Sequence, residues 1–324
     1  MKRVAINGFG RIGRIVFRAL NTVYPKPKIE VVAINDLCDA HTMAHLLQYD
    51  SNYGTLNATI SVEDSFLSFN GRRIKILSQS DPKLIDWGNL GVDIVLECTG
   101  VFTTKEKAKV HIERGAKKVI VSAPCDNADK TLVFGVNHSD YNPEEDQVIS
   151  CASCTTNCLA PVVFCLDKEF GVVNGFMTTA HAYTNDQRIL DLPHKDYRRA
   201  RAANLSIIPT TTGAAKAVGK VLTTMSGKID GLALRVPVSV VSVVDFVAVL
   251  KQRATKQEVN SAFINYSQQN LKGILGVSKE PLVSVDFKGS TLSSIVDLEL
   301  TMVNENLVKV IAWYDNEFGF SCRM

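Results

Sequence analysis

Cys154 stands in the run Ser150-Cys151-Ala152-Ser153-Cys154-Thr155-Thr156-Asn157-Cys158, where a strand-like stretch gives way to a helix, and His181 follows downstream. Ser153 is a good helix N-cap and sets the Cys154 thiol at the first helical position, where unpaired amides and the helix dipole favour an anion. A cysteine of ordinary pKa, about 8.5, is only a few per cent ionised at neutral pH, so this placement predicts an activated nucleophile, with His181 as its candidate base. The spacing Cys-x-x-Cys-x-x-x-Cys of Cys151, Cys154 and Cys158 also suits zinc or an iron–sulfur cluster. That competing reading lacks a fourth ligand close by, and a helix beginning at Cys154 leaves Cys151 on the preceding strand. No metal is expected.

Other elements must deliver these groups. Gly175 to Tyr183 reads as a strand that carries His181 toward a loop, Asn185 to Asn204, rich in arginine (Arg188, Arg198, Arg199, Arg201). Thr210-Thr211-Thr212-Gly213 then opens a helix, and arginines beside a Thr-Gly helix start suit phosphate groups. Leu232 to Pro237 is an apolar strand holding one charge, Arg235, which calls for an anionic partner, either a salt bridge or a ligand.

The first half carries a different chemistry. Lys2–Ile6 reads as a buried strand, Gly8, Gly10 and Gly13 as a Gly-x-Gly-x-x-Gly turn, and Arg14 to Asn21 as an amphipathic helix. Such glycines let a pyrophosphate approach the backbone at a helix N-terminus. A second strand, Ile29 onward, ends in Asp36 about twenty residues later, where an acid binds both ribose hydroxyls and repels a 2′-phosphate, so NAD is preferred to NADP. Ile94 to Leu96 and Lys118 to Ser122 read as further strands around a helix from Thr104 to Arg114, which implies a mostly parallel sheet. Residues 59 to 78 alternate around Asn70-Gly71 and read as a small antiparallel hairpin. Thr99-Gly100 and Ser122 fall at the C-terminal ends of strands, where ligands of such sheets bind.

With 324 residues, the chain has room for two cored domains. A net charge of +3 is too mild for a nucleic-acid footprint. No secretory signal or membrane-length apolar run is present, so cytoplasmic residence is expected, and the eight cysteines read as thiols, not a disulfide framework.

At this point the sequence resembles the phosphorylating, NAD-dependent glyceraldehyde-3-phosphate dehydrogenases over nearly its whole length. The resemblance rests on Ile6-Asn7-Gly8-Phe9-Gly10-Arg11-Ile12-Gly13-Arg14, Ala152-Ser153-Cys154-Thr155-Thr156-Asn157-Cys158-Leu159-Ala160-Pro161, Tyr183-Thr184-Asn185-Asp186-Gln187, Arg198 to Ala203, Ile207 to Lys216 and Trp313-Tyr314-Asp315-Asn316-Glu317. It implies an α/β protein: a Rossmann-type doubly wound parallel-sheet domain, residues 1–152, and an α+β catalytic and oligomerisation domain with a mostly antiparallel sheet, residues 153–314. Residues 315–324 would return toward the NAD domain, just where the family continues into a C-terminal helix, and the protein would be a homotetramer.

Carried over by residue, the resemblance makes Cys154 the nucleophile and His181 its activator. Gly8, Gly10, Arg11, Ile12, Gly13, Asp36, Ser80, Thr99, Ser122 and Asn316 would surround NAD, with Leu37, Leu192 and Pro193 matching residues that disfavour NADP. Thr184 and Arg235 would hold the substrate's phosphate with Arg199 nearby, and Ser153, Thr155, Thr212 and Gly213 the attacking inorganic phosphate. The implied activity is oxidation of glyceraldehyde 3-phosphate to 1,3-bisphosphoglycerate through a Cys154 thioester. An erythrose-4-phosphate dehydrogenase, in which water attacks the thioester, is the nearest alternative; a metal or binding protein on the same fold is a more distant one. Several places depart from the family: Cys151 replaces asparagine, which reads as a structural substitution without function, with a reversible disulfide to Cys154 as the alternative; Ser80 replaces an arginine near the adenine; and Val238-Ser239-Val240 replaces Thr-Pro-Asn.

Overall fold

Apolar runs such as Val4-Ala5-Ile6 and Ala33-Ile34 are buried on both sides, as strands of a parallel sheet must be when helices cover its two faces. In the computed structural model, which describes residues 1–324, Val4 and Ile6 enter one hydrophobic cluster with Phe17 and Ile34. Ala5 enters the opposite cluster with Val95, Val119 and Trp87. The chain divides into two compact units, residues 1–132 with 139–152 and 324, and residues 133–138 with 153–323.

The first unit is built on a nine-stranded sheet. Lys2–Asn7 is central, parallel to Ile29–Asn35 on one side and to Ile94–Glu97 on the other. Strand order reverses there, so the C-terminal ends of Lys2–Asn7 and Ile94–Glu97 part to leave a crevice. Beyond Ile29–Asn35 lies Arg72–Leu77, also parallel. The segment expected as a lone hairpin is a three-stranded meander, Ile60–Glu63, Phe66–Phe69 and Arg72–Leu77, that extends the main sheet. Asn70 and Gly71 both have positive φ at its second turn, the backbone an Asn-Gly hairpin requires. The first helix spans Arg11–Thr22 and so begins three residues earlier than its apolar face suggests. The region 104–114 forms two short helices, Lys105–Ala108 and Val110–Glu113.

In the second unit an eight-stranded, mostly antiparallel sheet carries the Cys154–Phe170, Ala214–Val221 and Lys256–Gln268 helices. Val172–Ala182 lies between Ile229–Val236, its parallel partner, and Ser242–Leu250, its antiparallel one. The long helix packs against this sheet. Ser153 caps it by accepting the Thr156 amide, and Gly171, with φ of 69°, closes its other end.

Candidate active site

The second unit brings together the thiol, the imidazole and one guanidinium. Cys154 begins the long helix; His181 is the penultimate residue of its strand, and parallel pairing sets it opposite Arg235. Cys154 Sγ lies 3.5 Å from His181 Nε2. On the other edge of the ring, Nδ1 is 2.7 Å from the Ala182 carbonyl oxygen. Arg235 Nη1 donates to that same carbonyl at 2.9 Å and closely contacts Nδ1. Nδ1 thus faces both an obligate acceptor, the Ala182 carbonyl, and an obligate donor, the Arg235 guanidinium; in the tautomer that donates to the carbonyl, the Nε2 lone pair faces the thiol, the arrangement a base requires.

Electrostatics separate the roles. Burial pushes the Cys154 thiol up, while the Arg235 charge and hydrogen bonds from Thr155 pull it down. Burial and the same arginine lower the His181 pKa to about 3, against a smaller opposing effect of the Ala182 carbonyl. Burial thus disfavours charge on both groups, while Arg235 favours the thiolate and resists the imidazolium. Arg235 Nε is buried without a partner, a donor suited to an incoming anion.

Beneath the pair, Tyr314 joins its hydroxyl to Thr155 Oγ1 at 2.8 Å and Thr179 Oγ1 at 3.0 Å, with its ring edge-on to His181. Thr155 is thus buried and engaged. Ser153 Oγ, besides capping, bonds Thr156 Oγ1 at 2.8 Å, and Thr156 Oγ1 donates to the Ala214 carbonyl at 3.2 Å. That contact sets the start of the Cys154 helix beside Thr212 and Gly213; Gly213 caps the next helix without a side chain, and a Cβ there would meet nothing within 4 Å. The Thr184 amide donates to Gln187 Oε1 at 3.3 Å. Arg199 is held by Thr210 and Asp186, close enough for its charge to act on both His181 and Arg235. Asn316 accepts from Ser242 Oγ at 3.0 Å, and the same Oγ accepts from the Ala182 amide. The Val238–Val240 turn touches the site through the Tyr183 amide, which donates to the Val238 carbonyl at 3.1 Å.

The first unit holds a separate cavity of about 340 Å³ at the crevice, lined by Gly8, Gly10, Asp36, Ser80 and Thr99 among the sequence candidates, with Leu37 at its rim. Gly8 has φ of 92°, and a Cβ on Gly13 would stand 2.2 Å from the Gly8 carbonyl oxygen. A Cβ on Gly10 would meet nothing, so that glycine keeps space clear, as a pyrophosphate needs at an uncapped helix start. The Asp36 carboxylate accepts the Phe9 amide at 2.6 Å and the Cys38 amide at 2.9 Å, which fixes it at the cavity. These features fit a dinucleotide.

Five candidates do not line the cavity, among them Asn316, which belongs to the second unit. Arg11 is paired with Asp50 at 2.6 Å and Ile12 packs on the core, so only their backbone at the helix start faces a ligand role. Gly13 serves helix packing, and the Ser122 amide donates to the Glu97 carbonyl at 2.9 Å. Sequence reasoning passed over Asn7, Asn35 and Gln79, which do line it; the only signal was a polar residue closing each of two apolar strands. It also passed over Tyr314 and Ser242 as supports, because they come from remote strands.

All eight cysteines are thiols. Cys151 follows the strand Val148–Ser150, and burial pushes its thiol up to about 12.

Comparison with known proteins covers both units. A family model described as the NAD binding domain of glyceraldehyde 3-phosphate dehydrogenase matches residues 2–105, and one described as its C-terminal domain matches residues 153–316. The glyceraldehyde-3-phosphate dehydrogenase of Geobacillus stearothermophilus is 58% identical over 323 residues, covering 99% of this chain and 96% of that protein. Glyceraldehyde-3-phosphate dehydrogenase 1 of Bacillus subtilis is 56% identical and the Streptomyces coelicolor enzyme 54%, each with the same coverage. Taken with the thiol–imidazole pair and the dinucleotide cavity, these matches show that the chain belongs to the glyceraldehyde-3-phosphate dehydrogenase family.

Proposed function

We propose that this chain oxidises glyceraldehyde 3-phosphate with NAD and inorganic phosphate to 1,3-bisphosphoglycerate, the glycolytic reaction of its family. The observation that carries the mechanism is Cys154 Sγ at 3.5 Å from His181 Nε2, with a buried, partnerless Arg235 Nε on the far side of the ring.

His181 Nε2 takes the Sγ proton as the sulfur attacks the aldehyde carbon, and the imidazolium then stabilises the oxyanion together with the Cys154 amide at the helix start. The substrate's phosphate binds Arg235, with Thr184 and Arg199 around it. That anion offsets the charge that otherwise resists protonation of His181, so substrate binding prepares the base. NAD supplies the hydride acceptor when bound, held by the glycine turn and Asp36. Inorganic phosphate, bound by Ser153, Thr212 and Gly213 with the Thr155 hydroxyl turned inward to Tyr314, attacks the thioester carbon; the C–S bond breaks and the thiolate of Cys154 is released. The thioester retains the free energy of oxidation, so the product is an acyl phosphate.

Assembly as a homotetramer is supported by apolar side chains left bare on the second unit, among them Phe176 on the sheet and Ile189, Tyr197, Leu205 and Ile207 in and after the arginine-rich loop. Light scattering on the purified protein tests it. No helix is long and apolar enough to cross a membrane, and we place the reaction in the cytoplasm.

NADH formation from glyceraldehyde 3-phosphate, followed by its ultraviolet absorbance with and without inorganic phosphate, tests the activity. Turnover that requires phosphate is expected. Phosphate-independent turnover to a carboxylate favours the erythrose-4-phosphate type of chemistry, and no turnover overturns the reading.

A further inference from the structure

Glu97 is 1% exposed, at the end of the strand Ile94–Glu97 beside the central one. Its carboxylate receives four hydrogen bonds. Oε2 accepts from Asn7 Nδ2 at 2.6 Å and meets His111 Nε2 at 3.0 Å; Oε1 accepts from the Thr99 amide at 2.8 Å and from the Thr99 hydroxyl. His111 is fully buried, and Trp87 Nε1 donates to its Nδ1 at 3.1 Å. An indole N–H only donates, so Nδ1 is the acceptor, Nε2 bears the hydrogen, and the imidazole beside Glu97 is neutral. No lysine or arginine pairs with this carboxylate. It is a buried anion held by neutral donors alone.

An isosteric amide cannot replace it. Whichever way a glutamine side chain turned, its NH₂ would face an obligate donor, either the side chains of Asn7 and His111 or the amide of Thr99. The position therefore demands a carboxylate in spite of the cost of burying one.

What the four bonds fix is the dinucleotide cavity. Asn7 and Thr99 line it directly. Asn7 Oδ1 accepts from Asn35 Nδ2 at 2.7 Å, and Asn35 in turn holds the backbone of Gln79 through its side chain at 2.8 and 3.0 Å. One carboxylate thus ties the C-terminal ends of three parallel strands into a single polar floor. We propose that Glu97 is a positioning residue for the cofactor, holding the cavity in its binding-competent shape so that NAD pays little ordering entropy on entry. The proposal rests on the NAD reading of this cavity.

The test is NAD affinity measured by calorimetry on the purified protein, with Cys154 alkylation in the absence of NAD as the control on the second unit. Wild-type binding checks the cofactor reading separately: no binding there sinks that reading, not this one. Glu97→Gln is expected to raise the NAD Kd and KM about tenfold or more, with kcat at saturating NAD and the alkylation rate essentially unchanged. His111 does not line the cavity; it reaches it through its bond to Glu97 and through its edge-on contact with Phe102, and because leucine and glutamine both remove the ring, comparing the two variants isolates the hydrogen bond to Glu97. His111→Leu removes a donor and should weaken NAD binding, whereas His111→Gln keeps an N–H for Glu97 and should restore it. If Glu97→Gln fails to fold, the two His111 variants decide. An unchanged NAD Kd in Glu97→Gln, or equal Kd values in the two His111 variants, overturns the proposal.

Discussion

His181 and Arg235 are register partners on adjacent parallel strands, and the guanidinium reaches Nδ1 of the imidazole while Nε2 is left to Cys154. One cation therefore governs both halves of the thiol–imidazole pair, easing ionisation of the sulfur and resisting protonation of the ring. The consequences can be measured residue by residue.

Cys154→Ser should abolish NADH production while leaving NAD affinity intact, since the cavity-lining residues all belong to the first unit. Calorimetry and a progress curve on the same sample check both. Appreciable residual turnover would remove Cys154 from the nucleophile's role.

Arg235→Leu should raise KM for the phosphorylated aldehyde much more than KM for NAD, because it deletes the buried donor left for the substrate's anion. It should also raise the pKa of His181 by removing a nearby positive charge, which NMR titration of the ring would report. A variant that changed neither would show the arginine to be structural.

His181→Gln should lower the rate by about 10² to 10⁴ through loss of acid–base chemistry. It should also flatten the dependence of stability on pH. The folded value near 3 lies below the 6.5 of the free side chain, so between those limits the unfolded chain binds more protons and stability falls as pH drops. Near pH 5 the contribution has a ceiling of about 2 kcal/mol. Urea unfolding at neutral pH and near pH 5 should show wild type losing more stability than the variant; parallel losses refute the burial argument.

Gly10→Ala and Gly13→Ala should behave oppositely. A methyl on Gly10 meets no protein atom, so the melting temperature should hold while NAD affinity falls. A methyl on Gly13 would stand 2.2 Å from the Gly8 carbonyl oxygen and should cost about 1–3 kcal/mol of stability. Thermal melts with and without NAD separate the two.

By itself the sequence determined what depends on near neighbours in the chain. The Ser153 cap and the helix start at Cys154, the glycine turn, the Asn70-Gly71 hairpin and the apolar strands all follow from backbone preferences acting within a few residues, and the long motifs carried the family. Tertiary structure decided what depends on strand register and order. Arg235 lies 54 positions beyond His181 and meets it only because two strands pair in parallel. Glu97 gathers Asn7, Thr99 and His111 only because strand order reverses beside it. Hydrophobic periodicity says which face of a strand is buried, but not which strand will lie next to it, and that adjacency placed a cation on the catalytic imidazole and a buried anion under the cofactor cavity.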